Sequence, residues 1–210
     1  MRPYIITITG PSGSGKTALV SKLCQLYAVN QVQALRGDSY YKDRSMYALE
    51  QRALLNYDQP DAFEFDLLNQ HLLDLKDNKT IHVPQYDFKT HTRSNITATV
   101  QPAPVILVEG ILLLANPELR NIADCHVFIN TPVDTCLLRR IRRDCVERGR
   151  DADSVLHQYE QTVRPMLFEH ILPAKTYAHH CIPDGGWNPE GLKWMCTTID
   201  HALQAHNTRI

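Results

Sequence analysis

A run of β-branched and apolar residues, Tyr4-Ile5-Ile6-Thr7-Ile8-Thr9, ends directly on Gly10-Pro11-Ser12-Gly13-Ser14-Gly15-Lys16-Thr17, and Ala18-Leu19-Val20 follow. This order dictates a buried strand, a tight glycine loop and a helix. A strand left through a helix is met by further parallel strands, so a sheet covered on both faces is expected. The loop fits the pattern G-x-x-x-x-G-K-[ST]. Gly10, Gly13 and Gly15 permit positive φ and let backbone N–H groups converge on an anion. A helix opening near Lys16 aims the positive end of its dipole at the same point. In this pattern the lysine, Lys16, reaches the β- and γ-phosphates and the Thr17 hydroxyl holds Mg²⁺. Gly10, Pro11, Ser12, Gly13, Ser14, Gly15, Lys16 and Thr17 are therefore the expected phosphate-binding loop, and the chain is expected to bind a nucleoside triphosphate.

The rest of the chain keeps the same rhythm. Apolar, strand-like runs recur at residues 31–35, 105–108, 125–130 and 181–182. Helical patterns lie between them, at 16–27, 65–76, 132–147, 152–169 and 189–205, with Pro132 and Pro189 suited to first turns. The expected fold is α/β: a doubly wound, mostly parallel sheet of P-loop NTPase type, flanked by helices. Residues 80–86 and 95–101 alternate as a hairpin instead, and the arm at 86–93 is expected to project over the site. No repeat or linker divides the chain, so 1–210 reads as a single domain.

Net charge is −1 and the pI about 6.8, which gives no electrostatic case for nucleic acid or an anionic membrane. No apolar run is long enough to span a bilayer, and a first strand opening at Tyr4 leaves no room for a signal peptide. The six cysteines show no C-x-x-C pairing, and reduced core thiols in a cytoplasmic protein are the expectation.

Phosphoryl transfer needs carboxylates beside the phosphate loop, one to orient or deprotonate the attacking group and others to help hold the metal. Asp38 follows the second strand in Arg36-Gly37-Asp38, and Glu109 ends the third in Val108-Glu109-Gly110. Carboxyl ends of parallel strands form the ligand crevice of such a sheet, so both acids converge on the loop. Asp38 is assigned as general base and metal contact, Glu109 as a ligand of the metal or of its water shell.

Residues 139–150 hold six arginines. In a chain that is not basic elsewhere, a lid that neutralises a triphosphate explains them better than a nucleic-acid patch. Arginine forks bind phosphate in bidentate fashion, and an arginine beside the transferring group accelerates transfer. Helical spacing puts Arg139 and Arg143 on one stripe, and Gly149 turns the chain so that Arg148 and Arg150 enter the lid. Residues 56–63 and 84–93 add carboxylates, aromatics and His91, the groups a nucleoside acceptor needs.

Taken in order, the P-loop, Asp38-Ser39-Tyr40-Tyr41-Lys42-Asp43, Asn56-Tyr57-Asp58-Gln59-Pro60, Tyr86-Asp87-Phe88 with His91-Thr92-Arg93, and Val108-Glu109-Gly110 resemble the uridine kinases, the bacterial type above all. So do Arg139-Arg140-Ile141-Arg142-Arg143-Asp144, Glu147-Arg148-Gly149-Arg150, Gln158-Tyr159 and Thr162-Val163-Arg164-Pro165-Met166, and the likeness spans nearly the whole chain. The resemblance implies ATP- or GTP-dependent 5′-phosphorylation of uridine and cytidine in pyrimidine salvage, by a homotetramer. It places Asp58 and Arg140 on the ribose hydroxyls, Tyr86 and His91 on the base edge, and Tyr57 and Phe88 as stacking walls. It adds Tyr41, Arg150 and Gln158 to the acceptor side and gives Arg143 and Arg148 the donor phosphates.

Gln59 stands where a histidine is expected, His179 where the family has Asp, and Asp184 where it has Arg. The last two departures leave the choice of ATP or GTP open. Adjacent His179 and His180 are too few ligands for a metal site. Other small-molecule kinases, pantothenate kinase or phosphoribulokinase, share the loop and strand-end acids but have no use for a Tyr86…His91 arm. A regulatory GTPase would need Asn-Lys-x-Asp, and Asn78-Lys79-Thr80-Ile81 lacks the acid. A binding module without catalysis would not need Lys16, Thr17, Asp38 and Glu109 together.

Overall fold

The computed structural model describes residues 2–208. Five parallel strands, β1 (Tyr4–Thr9), β2 (Val32–Arg36), β5 (Val105–Gly110), β6 (Cys125–Asn130) and β7 (His180–Pro183), form one sheet in the order β2-β5-β1-β6-β7. The chain moves to one side of β1 and then to the other, so the crevice opens at the carboxyl end of β1, where the glycine loop begins.

Strand periodicity explains the two-sided core. Ile5 of β1 packs with Ile106 and Val108 of β5 on one face. Ile6 and Ile8 pack with Val105, Leu107, Val127 and Ile129 on the other. The first face is covered by α3 (Phe65–Lys76) and α4 (Pro117–Ile122), the second by α1 (Lys16–Leu26) and α8 (Pro189–Asn207). The short helices α4 and α2 (Leu49–Ala53) have no counterpart in the sequence reading.

The hairpin forms as expected, with a longer second strand: β3 (Ile81–Asp87) pairs antiparallel with β4 (Thr92–Val100), with an irregularity between Pro84 and Tyr86. Proline cannot donate to a ladder, so a two-stranded ribbon with a bulge accommodates Pro84 where a central strand would not. Arg93 Nη1 bridges Glu64 Oε2 at 2.5 Å, and Thr92 Oγ1 donates to Asp43 Oδ1 at 2.6 Å. Arg52 Nη1 reaches the Thr90 carbonyl at 2.6 Å, and these contacts dock the arm on the segment that follows β2.

The arginine-rich helix is α5 (Val133–Glu147), with Pro132 at its N-cap position. The helix expected over 152–169 forms, but it is not regular α throughout. α6 (Ala152–Gln158) gives way to a wide π turn at Tyr159–Val163, a single α turn, α7 (Arg164–Met166), and a second π turn at Leu167–Ile171. Pro165 lacks the N–H that a regular ladder would use, and its ring crowds the preceding turn. Val163, Leu167 and Ile171 stay buried, and the last two pack with Phe128, Ile111 and Tyr57 beneath the crevice.

Candidate active site

Gly10, Gly13 and Gly15 all hold positive φ (152°, 83° and 96°). A Cβ on Gly13 would collide with the carbonyl of Cys136 on α5, so glycine is required there by space as well as by conformation. Lys16 Nζ donates to the Gly10 and Pro11 carbonyls at 2.9 and 3.0 Å. Burial pulls Lys16 below the ordinary lysine value, and the Glu109 and Asp38 carboxylates oppose that shift. Thr17 Oγ1 donates to Glu109 Oε1 at 2.9 Å, which joins the start of α1 to the end of β5. Burial raises the Glu109 carboxyl above its ordinary value, with Lys16 working the other way. Lys16, Thr17, Asp38, Glu109, Arg139 and Arg143 line one cavity of about 240 Å³ along the loop.

Beside it lies a larger cavity of about 400 Å³. Tyr41, Tyr57, Asp58, Tyr86, Phe88, His91, Arg140, Arg150 and Gln158, the whole expected acceptor set, line it. Arg143 and Arg148 complete its walls. Ser12, Asp38, Ile111 and Arg143 border both cavities. Asp38 sits in the one-turn 3-10 helix Gly37–Tyr40 that caps β2, and so stands where the two chambers meet.

Asp58 is 5% exposed, and its Oδ1 lies 3.9 Å from Arg140 Nη1. Burial raises its carboxyl above the ordinary value, with Arg140 pulling it back. Arg140 Nη2 and Arg150 Nη1 both donate to Gln158 Oε1, at 3.0 and 2.5 Å. The aromatic walls are layered rather than bare. Tyr57 stacks on His91 (5.2 Å between centroids, 19° between planes), and Arg148 lies over the Phe88 ring at 4.3 Å. His91, at φ 50° in the hairpin connection, is lowered from 6.5 by burial and then by Arg150 and Arg148, which favours the neutral ring.

Two charged residues to which the sequence assigns no individual role belong to this site. Arg139 lines the donor-side cavity, and its buried Nη1 makes no hydrogen bond. Asp144, fully buried, sits amid the lid arginines. Its signal was available: Arg140 and Arg148 stand four residues to either side, a helical face with a carboxylate between two arginines.

The departures at 179 and 184 separate in space. His179 precedes β7, at the end of the strand away from the crevice. Its Nδ1 accepts the His126 N–H at 2.9 Å and its ring stacks on His126 at 4.8 Å, so it packs at the end of the sheet remote from the phosphate loop. His180 stacks on Trp194 instead, so the two adjacent rings serve different contacts. Asp184 lies at the other end of β7, and the following Gly186 N–H donates to the Ser14 carbonyl at 3.2 Å. Only Asp184 of the pair remains beside the phosphate loop.

No three His, Cys, Asp or Glu side chains among the described residues form a ready metal cage. The donors at the loop, a hydroxyl and two carboxylates, are hard oxygens that suit Mg²⁺, which is held mainly through one or two carboxylates and substrate phosphates. The Thr17–Glu109 contact with Asp38 alongside fits that ion.

A five-stranded P-loop sheet with an arginine lid and a second chamber at its mouth defines a P-loop phosphotransferase of the small-molecule kinase class. The model of the phosphoribulokinase / uridine kinase family matches residues 5–189, and the chain belongs to that family. Curated relatives include the uridine kinase of Shewanella frigidimarina (strain NCIMB 400), 43% identical over 203 residues, 95% of this chain and 96% of that one. The uridine kinase of Oceanobacillus iheyensis is 43% identical over 202 residues, 96% of each chain. Among solved structures, the phosphoribulokinase from Rhodobacter spheroides shares the fold at 16% identity and a TM-score of 0.64, covering 87% of this chain and 70% of that one. A D-glycerate 3-kinase from Cryptococcus neoformans does so at 19% and 0.57, covering 74% and 75%.

Proposed function

We propose that the protein is a uridine kinase, moving the γ-phosphate of ATP or GTP to the 5′-hydroxyl of uridine and cytidine and yielding UMP and CMP in pyrimidine salvage. The observation that carries this reading is a carboxylate- and aromatic-lined chamber that meets the phosphate loop at Asp38. Asp58 and Arg140 offer a buried acceptor and donor pair for vicinal hydroxyls. Tyr86 and neutral His91 present hydrogen-bonding groups to a base edge, with Tyr57 and Phe88 as walls and Tyr41, Arg150 and Gln158 closing the acceptor side. Ribulose 5-phosphate and pantothenate have no aromatic ring for these walls to hold.

Asp38 takes the proton of the 5′-hydroxyl as it attacks, since a hydroxyl is a weak nucleophile at neutral pH. Lys16, Arg143 and Arg148 hold the charge that develops on the moving phosphoryl group. Thr17, Asp38 and Glu109 would hold Mg²⁺, which neutralises charge across the β- and γ-phosphates when bound. Residues 1–210 work as one unit in this account. The resemblance adds a cytoplasmic homotetramer, and the exposed Met46, Leu54 and Val146 offer apolar surface for subunit contact. No helix among the described residues is long and apolar enough to cross a membrane.

One coupled assay tests the reading: ATP or GTP with uridine, cytidine, adenosine, pantothenate or ribulose 5-phosphate as acceptor. Turnover confined to uridine and cytidine supports it, and preference for any of the other three overturns it.

A further inference from the structure

Asp144 is the point where the two halves of the site are tied together. Its side chain is 0% exposed, and four arginines crowd it. Oδ1 accepts from Arg143 Nε at 2.9 Å and lies 2.8 Å from Arg143 Nη2 and 3.4 Å from Arg148 Nη1. Oδ2 is 3.8 Å from Arg140 Nε and 3.9 Å from Arg150 Nη1. Oδ2 and Arg140 Nε are both buried with no hydrogen-bond partner. The backbone joins in: Arg150 N–H donates to the Asp144 carbonyl at 3.1 Å, which fixes the turn at Gly149.

These arginines reach both halves of the site. Arg143 Nη2 reaches Ser12 Oγ in the phosphate loop at 3.4 Å. Arg140 faces Asp58 and donates to Gln158, and Arg150 shares that Gln158 oxygen. The side of the carboxylate facing the phosphate loop is fully bonded, and the side facing the acceptor chamber stands open by less than an ångström. Buried polar atoms are normally paired, so an open pair within a charged network marks a place where the network has a second arrangement.

We propose that Asp144 is a positioning residue through which acceptor binding sets the donor-phosphate clamp. Nucleoside hydroxyls between Asp58 and Arg140 shift Arg140 so that its Nε closes on Oδ2. The carboxylate, then held from both sides, locks the Arg143 fork toward Ser12 and the γ-phosphate. Without the carboxylate, Arg143 and Arg148 lose their shared partner and repel one another, while Gln158 still holds Arg140 and Arg150. Asp144 touches neither substrate and acts through Arg140 and Arg143. The inference rests on the nucleoside-kinase reading.

The test is a binding cycle on the full chain. Uridine affinity is measured with and without the β,γ-imido analogue of whichever donor the wild type uses, alongside kcat and KM. Wild type should show mutual tightening on the order of tenfold, equal in both directions as linkage requires. Asp144→Asn should abolish the tightening and lower kcat by about 10²-fold. Its uridine affinity measured alone should stay within about threefold, because Asp58 and Gln158 still hold Arg140. A merely structural role would weaken both ligands and leave their ratio intact. If Asp144→Asn does not fold, Arg143→Lys decides: it keeps the charge, loses the fork, and should lose the tightening. Tightening retained in the folded variant overturns the role of Asp144 alone. A wild type that does not phosphorylate uridine overturns the functional reading and this inference with it.

Discussion

Thr17 Oγ1 donates to Glu109 Oε1 across 2.9 Å, so the first turn of α1 and the carboxyl end of β5 share one hydrogen bond at the mouth of the phosphate loop. Burial already raises the Glu109 carboxyl, which makes its charge costly to keep unless a cation is near.

Glu109→Gln keeps an oxygen that can accept from Thr17 and removes only the charge. The fold should survive, kcat should fall by about 10²–10³-fold, and half-maximal activity should require more Mg²⁺. Titration of rate against Mg²⁺ checks this. Unchanged kcat with an unchanged metal requirement would take Glu109 out of the metal site.

In the proposed function the buried Asp58–Arg140 pair, 3.9 Å apart, brackets the ribose hydroxyls. A nucleoside lacking one leaves these groups unpaired, which can cost up to about 10⁴-fold in kcat/KM. Deoxyuridine should therefore be a far poorer acceptor than uridine, and Asp58→Asn should narrow that gap by losing rate mainly on uridine. Equal kcat/KM on the two nucleosides with wild-type protein would contradict the assignment.

His126 is lowered from 6.5, chiefly by burial and next by His179. The Thr7 hydroxyl lies 2.8 Å from its Nδ1, and the Arg120 carbonyl 3.1 Å from Nε2, a set suited to a neutral ring. Between the folded value and 6.5 the unfolded chain therefore binds a proton that the folded chain resists. The stability contributed by His126 is full above pH 6.5, falls as the pH drops toward the folded value, and is constant below it. The cost of His126→Asn should accordingly be larger at pH 7.5 than at pH 5.5, by denaturant melts of both proteins. A cost that grows on acidification would contradict the neutral ring.

Much of this arrangement is local and so can be read along the chain. A phosphate loop needs its glycines, lysine and threonine in sequence, and the strand-end acids at 38 and 109 follow from apolar runs that stop shortly before them. The arginine lid shows itself by composition. Tertiary facts do not show in this way. The π turns that widen the helix over 152–169 on either side of Pro165 leave no mark in its apolar pattern. His179 looks like a change beside the donor base until the start of β7 puts it against His126. Arg140 and Arg148 meet Asp144 by helical spacing, but Arg150 reaches it only through the turn at Gly149 (φ 66°), which carries the chain back toward the helix.

The central claim is that Asp38, standing between the two chambers, is the general base. Asp38→Asn keeps its shape and removes its basicity. We expect kcat to fall by roughly 10²–10⁴-fold with uridine affinity largely unchanged, and no excess of Mg²⁺ or Mn²⁺ to restore it. The decisive measurement is kcat of this variant across metal concentration, with uridine binding followed in parallel. A large loss that stays flat in metal is the predicted result; full recovery by metal, or lost uridine binding with kcat intact, would contradict it.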